Sequence, residues 1–197
     1  MRGVRDLARL LLVSGATGLL LAGCGSAEAP SAPSAQSADG SFTLSSPAFS
    51  DGAAIPAHHC RVGMPGGENV SVPLAWSGAP PGTRSFALTM VDRHPIANDW
   101  MHWIVVGIPA DVTSLAEGAS AAGLPRGARE LENTFGDVGY GGPQPPAGSG
   151  DHTYEITVYA LDTDTVDLGD RPSAADIERA LADEVLATAT IAGTFGR

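Results

Sequence analysis

A histidine and a tyrosine follow a loop rich in glycine and proline, and together these residues can bind a small polar group. The loop covers residues 139–150, and His152 and Tyr154 stand where a polar–apolar alternation predicts a strand. Their spacing of two places both side chains on one face of that strand. Glycine lets backbone N–H groups approach a ligand, and proline stiffens the frame. The same pattern is equally typical of a long hairpin connection with a tyrosine in the core.

Three apolar segments predict the core strands that position this loop. They cover residues 84–91, 104–108 and 156–161. A further segment, residues 70–76, alternates in the same way but contains Pro73, which indicates an edge strand or a bulge. These strands are short and are separated by turn residues, so they predict a sheet protein and not a helical bundle.

The C-terminal part predicts one helix followed by one strand. Ser173 is a good N-cap, and Asp176 three residues later supplies half of a capping box. Apolar residues then recur at a spacing of four, at Ile177, Leu181 and Val185. This spacing predicts an amphipathic helix that runs to about Leu186. The alternation in residues 187–196 predicts a last strand that returns to the sheet.

The composition favours one loop-rich β domain and excludes a nucleic-acid-binding protein. The chain has 197 residues, with 25 glycines, 15 prolines and only 17% charged residues. The formal net charge is −11, and the basic residues, all arginines, form no basic stripe. Because binding to phosphate backbones needs such a stripe, no nucleic-acid partner is expected. The predicted fold class is mainly β, or β-rich α+β.

The N-terminus carries the pattern of a bacterial lipoprotein signal. Three arginines precede an apolar run at residues 10–21, which is too short to span a bilayer. The run ends in Leu21-Ala22-Gly23-Cys24, which resembles the bacterial lipoprotein box. The resemblance implies that a lipid is attached to the thiol of Cys24. The alternative is a plain secreted protein in which this cysteine occurs by chance.

This pattern divides the chain into three parts. We predict a lipoprotein signal peptide at residues 1–23, a lipidated flexible tether at 24–40 and a folded domain at 41–197. The protein is then expected in the cell envelope, lipid-anchored to the outer face of the bacterial cell membrane. With Cys24 lipidated, Cys60 is the one remaining cysteine, so no intramolecular disulfide is expected.

Several phrases in the domain resemble the phosphatidylethanolamine-binding protein family, most closely its bacterial Raf-kinase-inhibitor-like branch. In chain order they are Asn69-Val70-Ser71-Val72-Pro73-Leu74 with Trp76, His102-Trp103, Ile108-Pro109-Ala110, Asn133-Thr134-Phe135-Gly136, Gly139-Tyr140-Gly141-Gly142-Pro143 with Pro145-Pro146, and His152-Thr153-Tyr154. The resemblance covers about residues 41–197. It implies a central antiparallel sheet packed on a smaller sheet, with a helix near the C-terminus.

The resemblance also implies a small anion pocket at the surface, which accepts phosphate-like head groups including phosphoethanolamine. Carried over position by position, its lining includes Asp92, His102, Pro146, His152 and Tyr154. The two histidines and the tyrosine hydroxyl are expected to donate hydrogen bonds, loop amides near residues 148–150 add further donors, and Asp92 orients one imidazole. Anion affinity should then fall as the pH rises through the ordinary histidine pKa of about 6.5.

One departure from the family pattern lies beside this pocket. The family usually has Asp-Pro-Asp-Ala-Pro, whereas this chain has Asp92-Arg93-His94-Pro95, one residue shorter. The second aspartate is thus replaced by His94 or deleted. We therefore include His94 in the pocket and expect a more cationic site. The alternative is that both Arg93 and His94 point to solvent.

Three hypotheses for the function follow. The first is a membrane-tethered module that binds a phospholipid head group or another small anion. The second is an inhibitor or regulator of a protein partner, a protease or kinase, that acts through the same surface. The third is an enzyme, because Asp92, His102 and His152 have the residue types of a metal site or an acid–base pair. The motifs Gly-x-Ser-x-Gly, His-Glu-x-x-His and the P-loop are absent. We therefore expect no enzyme, no cofactor and no stoichiometric zinc or iron.

Overall fold

Two antiparallel sheets form most of the domain. The computed structural model describes residues 41–197, so the predicted signal peptide, tether and lipidation at Cys24 lie outside the described residues. The strands, numbered in chain order, are β1 (Thr43–Ser45), β2 (Leu74–Ser77), β3 (Ser85–Asp92), β4 (Trp100–Pro109), β5 (Ser114–Leu115), β6 (Arg129–Glu130), β7 (His152–Leu161) and β8 (Val185–Phe195). The prediction of a mainly β fold is confirmed.

Helices are few and short. They are a 3-10 turn at Ala57–His59, a one-turn helix α1 (Ala119–Ala122) and the longer helix α2 (Ala174–Leu181). Across residues 41–197, no helix has the length and apolar character needed to cross a bilayer.

The strand β3 lies at the centre of the larger sheet. The strand order is β6-β4-β3-β7-β8 in that sheet and β1-β2-β5 in the smaller one, and all neighbours are antiparallel. All eight residues of β3 are buried, because its two faces pack against different layers. Phe86, Leu88 and Met90 belong to the core shared with the smaller sheet, while Ala87 and Val91 pack with residues of α2. Side chains that alternate along a strand produce this division.

Helix α2 is shorter than the sequence predicts. It ends at Leu181 and not near Leu186. The reason is that Val185 pairs with Leu161 and so already belongs to β8. The acidic residues 183–184 also oppose a longer helix, since negative charge is unfavourable at a helix C-terminus.

Two other local details differ from the expectation. The capping box of α2 is complete, because the Asp176 amide donates to Ser173 Oγ at 3.2 Å and the Ser173 amide donates to Asp176 Oδ2 at 3.0 Å. The strand predicted over residues 70–76 begins only at Leu74. The preceding Pro73 has no N–H group for a sheet hydrogen bond.

Two asparagine side chains hold the glycine-rich loop that precedes β7. Asn69 Nδ2 donates to the Tyr140 carbonyl at 3.0 Å, and the Gly142 amide donates to Asn69 Oδ1 at 2.7 Å. The fully buried Asn133 donates to the Gly139 carbonyl at 2.9 Å. These amide side chains add to the backbone hydrogen bond from Gly141 to the His102 carbonyl of β4, at 2.8 Å, and together they fix the position of the loop against the sheet.

Gly142→Ala is expected to destabilise the domain. An added Cβ would collide with the carbonyl oxygen of His59 and would lie 2.7 Å from the backbone nitrogen of Arg61. Backbone atoms cannot rotate away, so we expect the free energy of unfolding to fall by about 3 kcal/mol. Urea denaturation measures the loss.

Gly148→Ala is the control for this change. Nothing lies within 4 Å of a Cβ added there, and only the left-handed φ of +78° is unfavourable, at about 1–2 kcal/mol. Equal losses in the two variants would contradict the predicted collision at Gly142.

Candidate functional site

The ends of three neighbouring strands meet around one cavity. β3 ends at Asp92, which pairs with Trp100 at the start of β4 and with Tyr154 near the start of β7. Because the strands are antiparallel, the end of β3 lies beside the beginnings of both neighbours. The cavity has a volume of about 230 Å³, and its wall includes four of the predicted site residues, Asp92, His102, Pro146 and His152. We call it the strand-end cavity.

Asp92 is a buried carboxylate with two partners. Its side chain is 6% exposed, and Oδ2 lies 2.6 Å from His152 Nδ1. The other oxygen, Oδ1, accepts a hydrogen bond from the backbone N–H of His94 at 2.9 Å. A charge removed from water needs such partners, since an unpaired buried carboxylate is strongly unfavourable. Asp92 therefore fixes the orientation of the His152 ring, in the arrangement that the resemblance implies.

The second nitrogen of His152 contacts a serine in the loop. Nε2 lies 2.9 Å from Ser149 Oγ, and the same Oγ lies 2.7 Å from the carbonyl oxygen of Pro146. The hydroxyl has a single hydrogen, so when it donates to the Pro146 carbonyl its oxygen can only accept from His152 Nε2, which must then carry a hydrogen. Two of the loop amides expected to face an anion already have partners: the Gly148 amide donates to the Arg197 carbonyl, and the Ser149 amide donates to that of Pro146.

His102 offers an acceptor, and not a donor, to a ligand. Its Nδ1 lies 2.5 Å from the carbonyl oxygen of Gly141, so the N–H on Nδ1 donates there. Burial lowers the pKa of His102 to about 4, so the ring is neutral at neutral pH. Nε2 then carries a lone pair. This differs from the donor role expected from the sequence, and His102 does not titrate near pH 6.5.

Tyr154 lies behind the wall of the strand-end cavity. Its side chain is fully buried, and its hydroxyl has no hydrogen-bond partner among residues 41–197. Its ring centroid lies 5.1 Å from that of His102 and 6.4 Å from that of His152. Burial raises the pKa of Tyr154 far above its ordinary value, so the hydroxyl keeps its proton. A buried donor without a partner is unfavourable by about 1–3 kcal/mol.

In the shortened loop after β3, the side chain of His94 packs on His152, whereas that of Arg93 points away from the strand-end cavity. The His94 ring stacks on the His152 ring, with centroids 3.9 Å apart and planes 11° apart. Arg93 instead donates to Asp99 and Glu155, both at 2.9 Å. Its charge is therefore paired outside the strand-end cavity, and the expectation of a more cationic site does not hold for Arg93. The alternative, solvent exposure, does not hold for the half-buried His94.

The apolar part of the cavity wall was not predicted from the sequence. Its apolar members are Ile96, Ala97, Trp100, Phe135 and Pro145. The Phe135 ring makes edge contacts with Trp100 at 5.2 Å and with His102 at 5.4 Å. Phe135 belongs to one of the phrases that carry the family resemblance, and this membership was the one sequence signal that could have identified it as a site residue. Nothing in its spacing shows that it faces the histidines.

Comparison with known proteins agrees with this architecture. The family model described as phosphatidylethanolamine-binding protein matches residues 45–196. The chain belongs to the phosphatidylethanolamine-binding protein family. The resemblance inferred from the sequence phrases is thus confirmed, and the two-sheet fold is the one found in solved structures of the family.

Three relatives illustrate the similarity. The chain is 39% identical to a UPF0098 protein of Methanothermobacter thermautotrophicus over 158 residues, which cover 79% of this chain and 99% of the relative. The crystal structure of Escherichia coli YbcL, described as a new member of the mammalian PEBP family, has a TM-score of 0.73 at 37% identity and covers 79% of this chain and 98% of its own. A Mycobacterium tuberculosis protein named "Putative lipoprotein LppC" is 38% identical over 157 residues, 78% of this chain and 72% of that protein.

The free energy of unfolding is expected to fall as the pH is lowered from about 6.5 to about 4. The unfolded chain binds a proton on His102 near pH 6.5, whereas the folded chain binds it only near pH 4. Protons therefore favour the unfolded state throughout this interval. At full titration, His102 alone accounts for a loss on the order of 3 kcal/mol.

Urea denaturation across this pH interval measures the effect. The wild type is compared with His102→Gln, whose amide N–H can still donate to the Gly141 carbonyl but does not titrate. The difference between the two slopes isolates His102 from the carboxylates that titrate in the same interval. An identical slope in both proteins would contradict the lowered pKa of His102.

Proposed function

We propose that the chain is a membrane-tethered binding protein whose strand-end cavity holds a phospholipid head group or another phosphate-like anion. The observation that carries the proposal is the buried His152 imidazole in the cavity wall, held 2.6 Å from the Asp92 carboxylate. A ring fixed in this way needs no reorganisation when a ligand binds, which favours affinity.

The negative charge of the whole chain implies that anion binding depends on short, directed hydrogen bonds at the site. A formal net charge of −11 repels anions at long range, but salt screens this repulsion beyond about 10 Å. Hydrogen bonds at the site can therefore decide the affinity. The candidate donor in the cavity wall is His152 Nε2, which donates when it carries a hydrogen in addition to the Nδ1–H held by Asp92. The unpartnered hydroxyl of Tyr154 lies behind this wall.

Because the His102 ring is neutral, it favours ligands that can donate a hydrogen bond. Its Nε2 accepts a hydrogen bond, which suits a protonated phosphate oxygen or the ammonium group of ethanolamine. The apolar side chains of Trp100 and Phe135 complete the wall and suit the carbon atoms attached to such a phosphate. Both features favour a phosphate ester with a polar head over bare inorganic phosphate.

The predicted lipid on Cys24 would keep this cavity at a membrane. Cys24 lies outside the described residues, and support comes from its box-like sequence and from the mycobacterial relative whose name describes a lipoprotein. In this proposal the lipid inserts into the outer face of the cell membrane, and the residues after it act as the tether. A phospholipid head group would then be available within reach of the domain.

The alternative function, regulation of a protease or kinase, uses the same surface. Ile96 is 61% exposed although it belongs to the cavity wall. Such a side chain could contact a docked protein, although single exposed apolar residues are also normal on surfaces without a partner. This alternative has no further support from the contacts in the domain.

The proposed site binds its ligand without catalysing a reaction. Asp92, His152 and Ser149 stand in the order of a hydrolase triad, at 2.6 Å and 2.9 Å. However, the serine hydroxyl is also within 2.7 Å of a backbone carbonyl. The Gly148 and Ser149 amides already donate within the protein, so these two amides do not form an oxyanion hole.

His152→Asn is expected to weaken the binding of O-phosphoethanolamine by at least about tenfold, as expected for losing one hydrogen bond to a charged group. The asparagine amide can still donate to Asp92, so the buried carboxylate keeps a partner and the fold is retained. Titration calorimetry on the full chain in detergent measures the affinity, with inorganic phosphate and phosphatidylethanolamine vesicles as parallel ligands.

His58→Ala is the matched control, because it removes a histidine that does not line the strand-end cavity. Unchanged affinity in His152→Asn would remove His152 from the site. Tighter binding of the phosphate ester than of inorganic phosphate supports the head-group assignment, and the opposite order contradicts it.

The full chain is expected to release no p-nitrophenol from p-nitrophenyl acetate above the rate of Ser149→Ala. The reason is that the Gly148 and Ser149 amides are occupied within the protein, whereas oxyanion donors contribute a factor of about 10²–10³ in hydrolases. Absorbance at neutral pH measures the release. A rate that depends on Ser149 would establish an enzyme.

A further inference from the structure

A second group of ligand-type side chains lies outside the strand-end cavity. His58 and His59 belong to the 3-10 turn, and Glu117 lies between β5 and α1. His58 Nε2 is 2.9 Å from Glu117 Oε1, and His59 Nε2 is 3.6 Å from the same oxygen. One atom from each residue lies within 4.8 Å of the other two.

The central observation is a buried nitrogen without a partner. His59 is 0% exposed, and its Nδ1 lies 2.7 Å from the Val70 carbonyl oxygen, so Nδ1–H donates there. Nε2 then carries the lone pair of the neutral ring. Among the residues that the structure describes, Nε2 has no hydrogen-bond partner. An unsatisfied buried polar atom of this kind is unfavourable.

The neighbour of this nitrogen makes the arrangement more unfavourable still. A lone pair on His59 Nε2 and a carboxylate oxygen of Glu117 are both acceptors, and they face each other at 3.6 Å. Only a proton or a metal cation between them removes the repulsion. A metal cation can bind both acceptor atoms at the same time.

We propose that His58, His59 and Glu117 bind a divalent transition-metal ion of the Zn²⁺ class. Two imidazoles and one carboxylate are ligands that suit this class. In a tetrahedral site, ligand atoms lie about 3.3 Å apart, close to the separations of 2.9 Å and 3.6 Å seen here. Metal-bound histidines usually donate a hydrogen bond from their other ring nitrogen, and His59 Nδ1 makes such a bond to a backbone carbonyl.

The site has both an inner anchor and an access route. His59 is buried, whereas the side chains of His58 and Glu117 are 40% and 53% exposed. An ion can therefore arrive from solvent without opening the fold. The three protein ligands leave a fourth position for water. The nearby Cys60 is a poor ligand, because burial raises the pKa of its thiol to about 12.

This site also has a structural connection to the loop before β7. The Tyr140 hydroxyl donates to the carbonyl oxygen of His59 at 2.9 Å. A metal ion that fixes His59 would therefore also fix one support of that loop. The proposal departs from the sequence-based expectation of no bound zinc, because that expectation considered Asp92, His102 and His152 and did not consider this cluster.

Zinc binding to the untagged, metal-free full chain in detergent tests the proposal. Competition with a chromogenic chelator measures stoichiometry and affinity, and Co²⁺ absorption reports tetrahedral coordination. We expect one ion per chain and a higher melting temperature with Zn²⁺. His58→Ala and Glu117→Gln should each weaken the affinity by at least about tenfold. His58 is partly exposed and Glu117 is exposed, so the fold should tolerate these changes.

Two controls make the result specific. Glu178→Gln changes an exposed glutamate on α2 and should leave zinc affinity unchanged. His152→Asn tests the strand-end cavity as the alternative metal site. Absence of one-to-one binding, equal affinity in Glu117→Gln and Glu178→Gln, or a loss confined to His152→Asn would each overturn the proposal. Phosphoethanolamine binding by His58→Ala is read separately, so this proposal and the proposed function can fail independently.

Discussion

A carboxylate buried at the end of the central strand is the constraint on which this end of the molecule depends. Asp92 is almost removed from water, and it is stable there only because two hydrogen bonds replace the lost solvent. One comes from the backbone of His94, so the chain must turn directly after β3. The other comes from His152, so β7 must begin beside that turn. The same requirement therefore specifies the local fold and the candidate site.

The position of His94 follows from this requirement. Its backbone N–H is held by Asp92, and its ring then lies flat on the His152 ring. His94 thus acts as a cover for the imidazole and does not take the place of a second carboxylate. The loop continues through two left-handed residues, Asn98 and Asp99, and Asp99 is held by Arg93. The arginine is therefore used to close the short loop, and its charge does not reach a ligand.

The parts that the sequence predicted are those set by repeating patterns or by specific phrases. Alternation identified the core strands because burial on a strand follows a period of two. The histidine and aspartate positions came from family phrases, and no periodicity would have brought Asp92 to His152. The end of α2 was missed because pairing of Val185 in the sheet overrides the helical spacing. The acceptor role of His102 was missed because it depends on the Gly141 carbonyl, which is distant in sequence.

Two of the histidine–carboxylate contacts in the domain, His152–Asp92 and His59–Glu117, have opposite hydrogen-bond states. In the first, His152 Nδ1 donates to Asp92, so donor and acceptor are matched and the buried charge is satisfied without an ion. In the second, the Val70 carbonyl takes the Nδ1 proton of His59, and the lone pair of Nε2 faces Glu117. The same residue types thus form a satisfied hydrogen-bonded pair in the first place and the proposed metal site in the second. The residue types are the same in both places, so they do not decide the role. The role depends on which ring nitrogen faces the carboxylate: a donating Nδ1–H gives an oriented histidine, and a lone pair gives a metal ligand.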